Sequence, residues 1–425
     1  MIRAINVRIY PNKTQWIQIH KTIGCSRFIY NQMLNERKEV YEQLKDDKEA
    51  LINYRYKTEK QYKENFPFLK EADSIALQAS REHLFEAYQN FFNGLKKGRK
   101  VGFPKFKSKR GKESYTTKQT NENIKIDFKS KKVKLPKLGW LRFKDRRVFS
   151  EKIKHATIKK TNSNKYFVSL TLEAQDDVKE LPEVNEKDIV AFDMSSRNFL
   201  VNDIVKMENP RFYRSEQKKT KKLHKELSRK NNGSKHHEQA RLQLARHYDK
   251  IYNRKKDWTH KFTRKLANNY DVIILENLNM KGMQQFNSGL SKSVSLDFSW
   301  YQFTTYLKYK LEWLGNHFVL VDRFFASSKL CSCCGWKNNN LTLQERAWTC
   351  LDCGITHERD KNASINLKKE GIRILEEEKH ITIIHDDTAT VGTTGSHAFG
   401  DDVRPQEILR NLFGQFSRKK ESITL

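Results

Sequence analysis

The sequence predicts a multidomain α/β protein of roughly two to four packed units, at about 100–200 residues each. Three observations support this fold class. The chain has 425 residues, patterns typical of short strands alternate with long helical patterns, and a polar linker from Leu181 to Lys187 interrupts them. The linker divides a part rich in short strands from a part in which buried strands end at acidic residues.

The N-terminal part begins with a strand, because Ile5, Val7 and Ile9 alternate with polar residues. Apolar residues then recur at helical spacing over about 13–45 and 73–93. On the second helix we expect one core-facing stripe, formed by Leu84, Phe85, Tyr88, Phe91 and Phe92. These helices are predicted to form a compact helical module.

Short strand patterns follow the helices, at 124–126, 133–135, 141–143 and 166–172. Their spacing predicts a small β-barrel or curled sheet that includes the first strand. The helical module would then be an insertion into this sheet.

The C-terminal part contains three short apolar strands, Ile189–Phe192, Val272–Leu275 and Phe318–Val321. A long basic helical hairpin, broken at 231–234, separates the first two strands, and a helix at about 300–314 precedes the third. A last helix starts at Asp360. Beyond about 383 the chain is rich in Thr, Gly and Asp and is predicted to be an extended tail.

Four cysteines occur as two C-x2-C pairs, Cys331 with Cys334 and Cys350 with Cys353. Two such pairs bring four thiolates to one point, which is the usual ligand set of a structural Zn²⁺ ion. Four thiolates leave no open position for water, so this site is predicted to be non-catalytic. Cys25 is expected to be a small buried residue, and Cys333 an inert neighbour or an alternate ligand.

Three carboxylates are the candidate catalytic residues: Asp193 and Glu276 end buried strands, and Asp360 begins a helix. Acids at strand ends can converge at one sheet edge, where divalent cations would neutralise them. Mg²⁺ prefers oxygen ligands, and two such ions support phosphodiester hydrolysis. Taken singly, each acid could instead be a turn or cap residue.

The charge of the chain indicates a polyanionic partner. The sequence has 82 Lys+Arg and 51 Asp+Glu, a formal net charge of +31. Nine basic and no acidic residues fall within 96–112, and 211–265 carries 19 basic and 5 acidic residues. Scattered, solvated lysines are the alternative, but this clustering favours phosphate contact.

No apolar run of membrane-spanning length or signal peptide is evident, so a reducing, cytoplasmic location near the nucleoid is expected.

Several segments resemble TnpB, the transposon-associated family of RNA-guided DNA endonucleases related to type V CRISPR effectors. The resemblance spans nearly the whole chain. It rests on the three acids in their order, the cysteine quartet, and these segments: Arg8-Ile-Tyr-Pro-Asn12, Gly24-Cys-Ser-Arg-Phe-Ile-Tyr-Asn31, Val101-Gly-Phe-Pro-Lys-Phe106, Leu135-Pro-Lys-Leu-Gly139, Ala326-Ser-Ser-Lys329, Trp348-Thr-Cys350 and Arg359-Asp360-Lys-Asn-Ala363.

The resemblance implies an RNase H-like RuvC nuclease domain that carries Asp193, Glu276 and Asp360, with a zinc ribbon inserted before the third acid. The implied domains are a wedge β-barrel at 1–12 and 101–180, a helical recognition module at 13–100, the RuvC domain at 181–325 and 358–382, a zinc-ribbon module that binds target nucleic acid at 326–357, and a tail at 383–425.

The resemblance also implies the partners: one chain would bind a transposon-encoded guide RNA, recognise a short motif beside a double-stranded DNA target, and cut the DNA after pairing. Gln78, Thr120 and Asn121 match positions near that motif, although such residues are more often plain surface residues. The basic side chains expected to contact nucleic-acid backbones are Lys96, Lys97, Arg99, Lys100, Lys105, Lys107, Lys221, Lys222, Arg254 and Lys255.

One departure concerns the loop after Asp193, where Ser195 and Asn198 replace the glycine and acidic residue usual in the family. A lost glycine would restrict this turn. The three acids are nevertheless retained, which favours cleavage over a nuclease-inactive, RNA-guided repressor. A compact CRISPR effector would share nearly every feature, and a transposase that joins DNA ends is the third alternative.

Overall fold

The computed structural model describes residues 2–109, 111–173, 178–194, 198–279, 282, 297, 299–342 and 344–385. The chain forms two compact units, residues 1–177 and 178–425. None of the helices among the described residues combines the length and the apolar character needed to cross a bilayer.

The first unit opens with the predicted strand, β1 (Ile2–Tyr10), in which Ile5, Val7 and Ile9 are buried. Asn12 then ends the strand and caps a helix, because its side chain accepts a hydrogen bond from the Gln15 backbone at 2.9 Å. The helices of this unit are α1 (Lys13–Leu44), α2 (Lys48–Asn53), α3 (Glu59–Asn65), a 3₁₀ turn (Pro67–Glu71) and α4 (Ser74–Lys96).

The predicted core stripe on α4 is partly wrong. Leu84 is buried as expected, but Phe85 and Phe92 are each 52% exposed. Besides Leu84, the helix buries Ala76, Leu77, Ala79, Ser80 and Gly94. The helix packs against α1. Helical periodicity identified the helix, but its hydrophobic residues outnumber the positions that one packed face can bury.

The rest of the first unit is a seven-stranded antiparallel sheet in the order β2-β6-β7-β1-β5-β4-β3. Its further strands are β2 (Glu113–Lys118), β3 (Lys125–Asp127), β4 (Lys132–Leu135), β5 (Gly139–Lys144), β6 (Lys152–Lys160) and β7 (Tyr166–Glu173). The first strand lies at the centre, where Ile9 pairs with both Phe143 and Tyr166. The curled sheet joined by β1 is therefore present, and its closure into a barrel stays a prediction.

The strands of the second unit are β8 (Glu183–Asn185), β9 (Ile189–Phe192), β10 (Asn198–Val201), β11 (Lys206–Glu208), β12 (Val272–Glu276), β13 (His317–Val321), β14 (Ala347–Thr349), β15 (Thr356–Glu358) and β16 (Thr382–Ile384). Its helices are α5 (Phe212–Ser215), α6 (Gln217–Ser228), α7 (Lys235–Asn269), α8 (Trp300–Glu312) and α9 (Arg359–Arg373), with short turns at Glu186–Asp188 and Ile374–Glu378. The three predicted apolar strands are all present, as β9, β12 and β13.

These three strands form a parallel sheet in the order β13-β12-β9, and both of its faces are covered. Phe192 and Leu275 face a core that includes Phe262 of α7 and Phe303 of α8. Ile274 faces the opposite core with Leu367 of α9. Burial on both sides explains why the strands read as continuous apolar runs rather than as alternating patterns.

The predicted extended tail begins as an ordered strand. Within β16, Ile383 is buried and pairs in parallel with Val184 of β8. Ile381 and Ile383 are buried, whereas Thr382 and Ile384 are exposed, so this strand buries one of its faces. Residues 386–425, which make up the remainder of the predicted tail, lie outside the described residues.

Candidate catalytic and metal-binding site

Asp193 and Glu276 lie next to each other at the carboxyl ends of β9 and β12. The parallel register pairs Phe192 with Leu275, so each acid is the next residue on its strand. The Asp193 backbone also exchanges two hydrogen bonds with Val201 of β10, at 2.8 and 2.9 Å. This bridge fixes the end of β9, so Asp193 is held by backbone contacts on two sides.

Asp360 is the second residue of α9, the helix that packs on β9, β12 and β13. The approach is close, because a Cβ added at Gly371 would lie 2.3 Å from Cδ1 of Ile274. The absence of a side chain at Gly371 therefore allows the helix to lie directly on the sheet. Its first turn then carries Asp360 towards the other two acids.

The electrostatic environment of Asp193 includes both of the other acids. Burial, followed by the negative charges of Asp360 and Glu276, raises the pKa of Asp193 to about 7, while Arg359 acts in the opposite direction. Burial also raises the pKa of Glu276. Arg346 lies 3.7 Å from the Asp360 carboxylate. A cluster of this kind favours protons or cations, because ionised carboxylates repel one another in a buried site.

The four predicted zinc ligands meet at one point. One ligand atom from each of Cys331, Cys334, Cys350 and Cys353 lies within 4.8 Å of all the others. The Sγ atoms of Cys331 and Cys353 are 3.6 Å apart, as are those of Cys334 and Cys350. Among the described residues this is the only group of three or more metal-ligand side chains gathered so closely; the three acids are not.

The two cysteine turns have the same backbone construction. Gly335 N donates to Cys331 O at 2.9 Å, and Gly354 N donates to Cys350 O at 3.0 Å. Both glycines have positive φ, 80° and 72°. This conformation is easily adopted only by glycine, and it turns the chain so that both cysteines of a pair face inward. Such matched turns suit four thiolates and one tetrahedral ion.

His357 was not identified from the sequence. Its Nε2 lies 3.0 Å from Cys331 Sγ, and its ring packs 5.0 Å from the Trp348 ring. The structure explains its position: β14 and β15 pair antiparallel, and their register places His357 opposite Trp348. Of the two remaining cysteines, Cys25 is buried, which confirms the prediction, and Cys333 is exposed.

A set of hydrogen bonds joins the first cysteine turn to the helix that carries Asp360. The side-chain amide of Asn362 donates to Leu330 O at 2.6 Å, and its oxygen accepts from Ser332 N at 2.9 Å. Asn366 also donates to Leu330 O, at 2.7 Å, and Lys369 donates to Ser332 O at 2.6 Å. The cysteine turn and the third acid are thus parts of one connected structure.

Most of the predicted nucleic-acid contacts lie on the surface. Gln78 is exposed on α4, and Thr120 and Asn121 are exposed in the turn between β2 and β3. Exposed basic side chains are found at Lys96, Lys97, Arg99, Lys100, Lys105, Lys107, Lys221, Lys222 and Arg254, and Lys255 is half-buried.

Two of these basic side chains also make contacts within the protein. Lys107 Nζ lies 3.8 Å from the centre of the Tyr30 ring, and the Lys107 backbone exchanges two hydrogen bonds with the Asn31 side chain. Arg254 is 3.1 Å from Glu216. The segment after α4, predicted to lie along phosphates, is therefore anchored on α1 around Lys107.

Three family profiles match parts of the chain: a "Helix-turn-helix domain" at 1–46, a "Probable transposase" profile of the OrfB/IS605 type at 169–287, and a "Cas12f1-like, TNB domain" at 300–367. A "Putative RNA-guided DNA endonuclease" of Streptomyces pristinaespiralis is 29% identical over 87% of this chain and 89% of its own. TnpB-like protein L79 of Acanthamoeba polyphaga mimivirus is 29% identical over 38% of this chain and 31% of its own. The chain belongs to the TnpB family.

Two further comparisons place this TnpB chain among its relatives. InsQ of Escherichia coli, also described as a "Putative RNA-guided DNA endonuclease", is 26% identical over 88% of this chain and 93% of its own. The fold resembles the protein in a cryo-EM structure of a Cas12f1, sgRNA and target DNA complex, with a TM-score of 0.51 at 12% identity over 87% of this chain and 98% of that one. Within 1–46 this TnpB chain has one strand and the first 32-residue helix rather than two short helices.

Proposed function

We propose that this protein is an RNA-guided DNA endonuclease whose nuclease centre comprises Asp193, Glu276 and Asp360. The single observation that carries the proposal is the half-buried acidic cluster at the carboxyl ends of β9 and β12, where burial, followed by the negative charges of Asp360 and Glu276, raises the pKa of Asp193. Such a cluster is costly unless cations neutralise it. The endonuclease relatives that align along most of the chain support the same function.

The acids suit divalent cations, and Mg²⁺ is the ion proposed, because carboxylate oxygens are its preferred protein ligands. When bound, Mg²⁺ supplies activation of the attacking water and stabilisation of the leaving 3′ oxygen. The protein contributes a fixed Asp193, held by its bridge to Val201, and a fixed Asp360, held by the packing of α9. Because its pKa is raised to about 7, Asp193 is partly protonated near neutral pH, and a bound cation would replace this proton.

The cysteine quartet is proposed to hold one structural Zn²⁺ ion. The support is the four sulfur atoms within 4.8 Å of one another and the matched glycine turns below them. A four-thiolate site has no open position for substrate. Its role would be to order the segment between β13 and α9, which bears Arg346 near Asp360.

Guide RNA and double-stranded target DNA are the proposed partners. The described basic side chains at 96–107 and on α6 and α7 are mostly exposed, in agreement with contacts to backbone phosphates. Base pairing between RNA and DNA would supply sequence discrimination, as in RNA-guided nucleases generally. The motif-reading roles of Gln78, Thr120 and Asn121 remain part of this proposal.

The test compares cleavage by the wild type and by Asp193→Ala. Each protein is co-purified with its RNA and incubated with matched target DNA and Mg²⁺. Cleavage should fall by a factor of at least about 1,000 in the variant, while RNA and DNA binding persist. Asp203→Ala is the matched control, since Asp203 is an exposed acid in the next turn of the same unit. Intact target DNA with the wild type, under conditions where guided binding is demonstrated, would instead indicate a binder without nuclease activity.

A further inference from the structure

A cleft in the first unit lies at the Arg8–Asn12 segment, which the nuclease centre does not use. It has a volume of about 340 Å³ and lies between the start of α1 and the turn that joins β6 and β7. The residues that determine its character are three aromatic and three basic ones: Tyr10, Trp16, Tyr166, Arg8, Lys13 and Lys165. We refer to it as the Trp16 cleft. None of its lining residues is acidic.

Trp16 and Tyr10 keep open surface, whereas Tyr166 is buried. Trp16 is 45% exposed, and its ring lies 4.5 Å from the His20 ring. His20 Nε2 is in turn 2.8 Å from the Tyr166 hydroxyl. Tyr10 is 43% exposed. A large aromatic ring that is fixed on one side and open to solvent on the other has already lost its rotamer freedom, so stacking a ligand on it costs little further entropy.

The charges around these rings select an anionic ligand. The Arg8 guanidinium lies 4.9 Å from the centre of the Tyr10 ring, and Lys13 and Lys165 line the same cleft. Lys13 is also the first residue of the 32-residue helix α1, whose N-terminus adds partial positive charge. The cleft thus combines flat π surfaces with several cations, which together match an aromatic base joined to a phosphate.

We propose that the Trp16 cleft binds one unpaired nucleotide of single-stranded RNA, with its base stacked on Trp16 and its phosphate near Arg8, Lys13 and Lys165. RNA is the chosen occupant because folded RNA presents unstacked bases in loops and bulges, which proteins bind on aromatic side chains. The exposed Asn164 at the cleft adds an amide suited to a 2′-hydroxyl. The inference rests on the proposed function, which makes RNA a partner of this chain.

The experiment measures the affinity of the full-length protein for a fluorescein-labelled, unstructured 12-nucleotide RNA by fluorescence anisotropy. Trp16→Leu removes the π surface but keeps an apolar side chain, and it should weaken binding roughly 5- to 100-fold, as expected for one lost stacking contact. Trp16→Phe should restore most of the affinity. Trp140→Ala is the matched control, because Trp140 is equally exposed, at 46%, and does not line the cleft.

A parallel measurement uses DNA of the same sequence and a duplex RNA. The proposal predicts that the loss in Trp16→Leu is largest for single-stranded RNA and small for the duplex. A loss as large for single-stranded DNA would overturn the assignment to RNA. Equal affinities for Trp16→Leu and Trp140→Ala would overturn the site altogether, provided that both variants unfold at the wild-type temperature. Should Trp16→Leu fail to fold, Arg8→Gln takes over the comparison with Trp140→Ala, because Arg8 is an exposed cation that lines the cleft. An RNA affinity equal to that of the control would then overturn the site.

A cleavage assay separates failure of the cleft from failure of the proposed function. If the wild type cuts a guided target but Trp16→Leu binds RNA as well as the control does, the cleft proposal fails and the nuclease stands. If the wild type does not cut, the proposed function fails. A selective loss of RNA affinity in Trp16→Leu would still support the cleft in that case, because anisotropy measures binding without catalysis.

Discussion

At the scale of single residues, Asp193 shows how position changes the chemistry of a common side chain. An exposed aspartate is ionised at neutral pH, but burial and the nearby Asp360 and Glu276 raise the pKa of Asp193 to about 7. Because the folded-state pKa is raised, the free energy of unfolding decreases as the pH rises from about 4 to about 7, unless a cation is bound. A cation bound at the proposed nuclease centre would therefore have to displace this proton.

This coupling predicts that Mg²⁺ and protons compete. Below pH 7 the Mg²⁺ concentration for half-maximal cleavage should increase, by up to about tenfold per pH unit, because Asp193 must lose its proton before it can act as a ligand. The measurement is the cleavage rate of the RNA-loaded protein against Mg²⁺ concentration at pH 6, 7 and 8. The same Mg²⁺ requirement at all three pH values would contradict the expected competition.

The candidate acids could be predicted from the sequence because the carboxyl ends of parallel strands meet at one edge. The convergence of the four cysteines could be predicted because the spacing within each pair is local. Asn362 and His357 could not be identified in this way, since their partners, Ser332 and Cys331, lie 30 and 26 residues away. Ser195, predicted to restrict the turn after Asp193, lies outside the described residues.

At the scale of elements, helix α9 links the cysteine turn to the acidic cluster. Asn362 lies two residues after Asp360 and is 1% exposed. Its side chain donates a hydrogen bond to Leu330 O and accepts one from Ser332 N. Its side chain thereby fixes the first turn of the helix relative to the first cysteine turn. A buried polar side chain with two backbone partners is costly to remove, because both partners lose a hydrogen bond.

Asn362→Ala should therefore reduce cleavage about 10- to 100-fold through misplacement of Asp360, with little loss of guided DNA binding. The measurement is single-turnover cleavage together with zinc content and DNA affinity of the same preparation. Lys369→Met is the control, since Lys369 contacts the same turn, at Ser332 O, from an exposed position two helical turns further on. Loss of zinc in step with activity would assign Asn362 a purely structural role.

A second prediction concerns the close packing of α9 on β12. Gly371→Ala should destabilise the protein by about 1–3 kcal/mol, because the added Cβ would lie 2.3–2.8 Å from three side-chain atoms of the buried Ile274. Ile274→Val in the same chain removes Cδ1, the nearest of these atoms, and should recover part of the loss. Thermal unfolding of the two single variants and the double variant checks this, and strictly additive losses would exclude the contact as the cause.

The sequence predicted the elements of the parallel sheet better than the details of helix packing. The strands β9, β12 and β13 were identifiable because each is a short, continuous apolar run. On α4, by contrast, several adjacent positions are aromatic, and periodicity alone did not show that Phe85 and Phe92 would face solvent. Which apolar residues a helix buries depends on its neighbours, which the local pattern does not contain.

At the scale of the whole molecule, the net charge of +31 gives affinity for nucleic acid, but the structure distinguishes basic residues that composition treats alike. Lys221 and Lys222 are exposed on α6. Arg254 of α7 is paired with Glu216 and lies 5.8 Å from the Phe212 ring. Part of the basic content therefore holds the helical hairpin together.

This distinction predicts different salt dependences. Lys221→Gln with Lys222→Gln should weaken RNA binding at low salt and reduce the slope of log affinity against log salt by about 1 to 2, since two phosphate contacts are lost. Arg254→Gln should change the slope less and lower the unfolding temperature more. RNA affinities measured between 50 and 300 mM KCl, with thermal unfolding in parallel, check both. Equal slopes for all three proteins would place the RNA away from α6.

The position of Asp360 in the chain has a consequence for biosynthesis. Asp193 and Glu276 leave the ribosome first, and the third acid follows only after both cysteine pairs. A product truncated anywhere before residue 360 thus carries at most two of the three carboxylates. On the proposed assignment of the nuclease centre, incomplete nascent chains and prematurely terminated fragments would be unable to damage the genome of the cell that makes them.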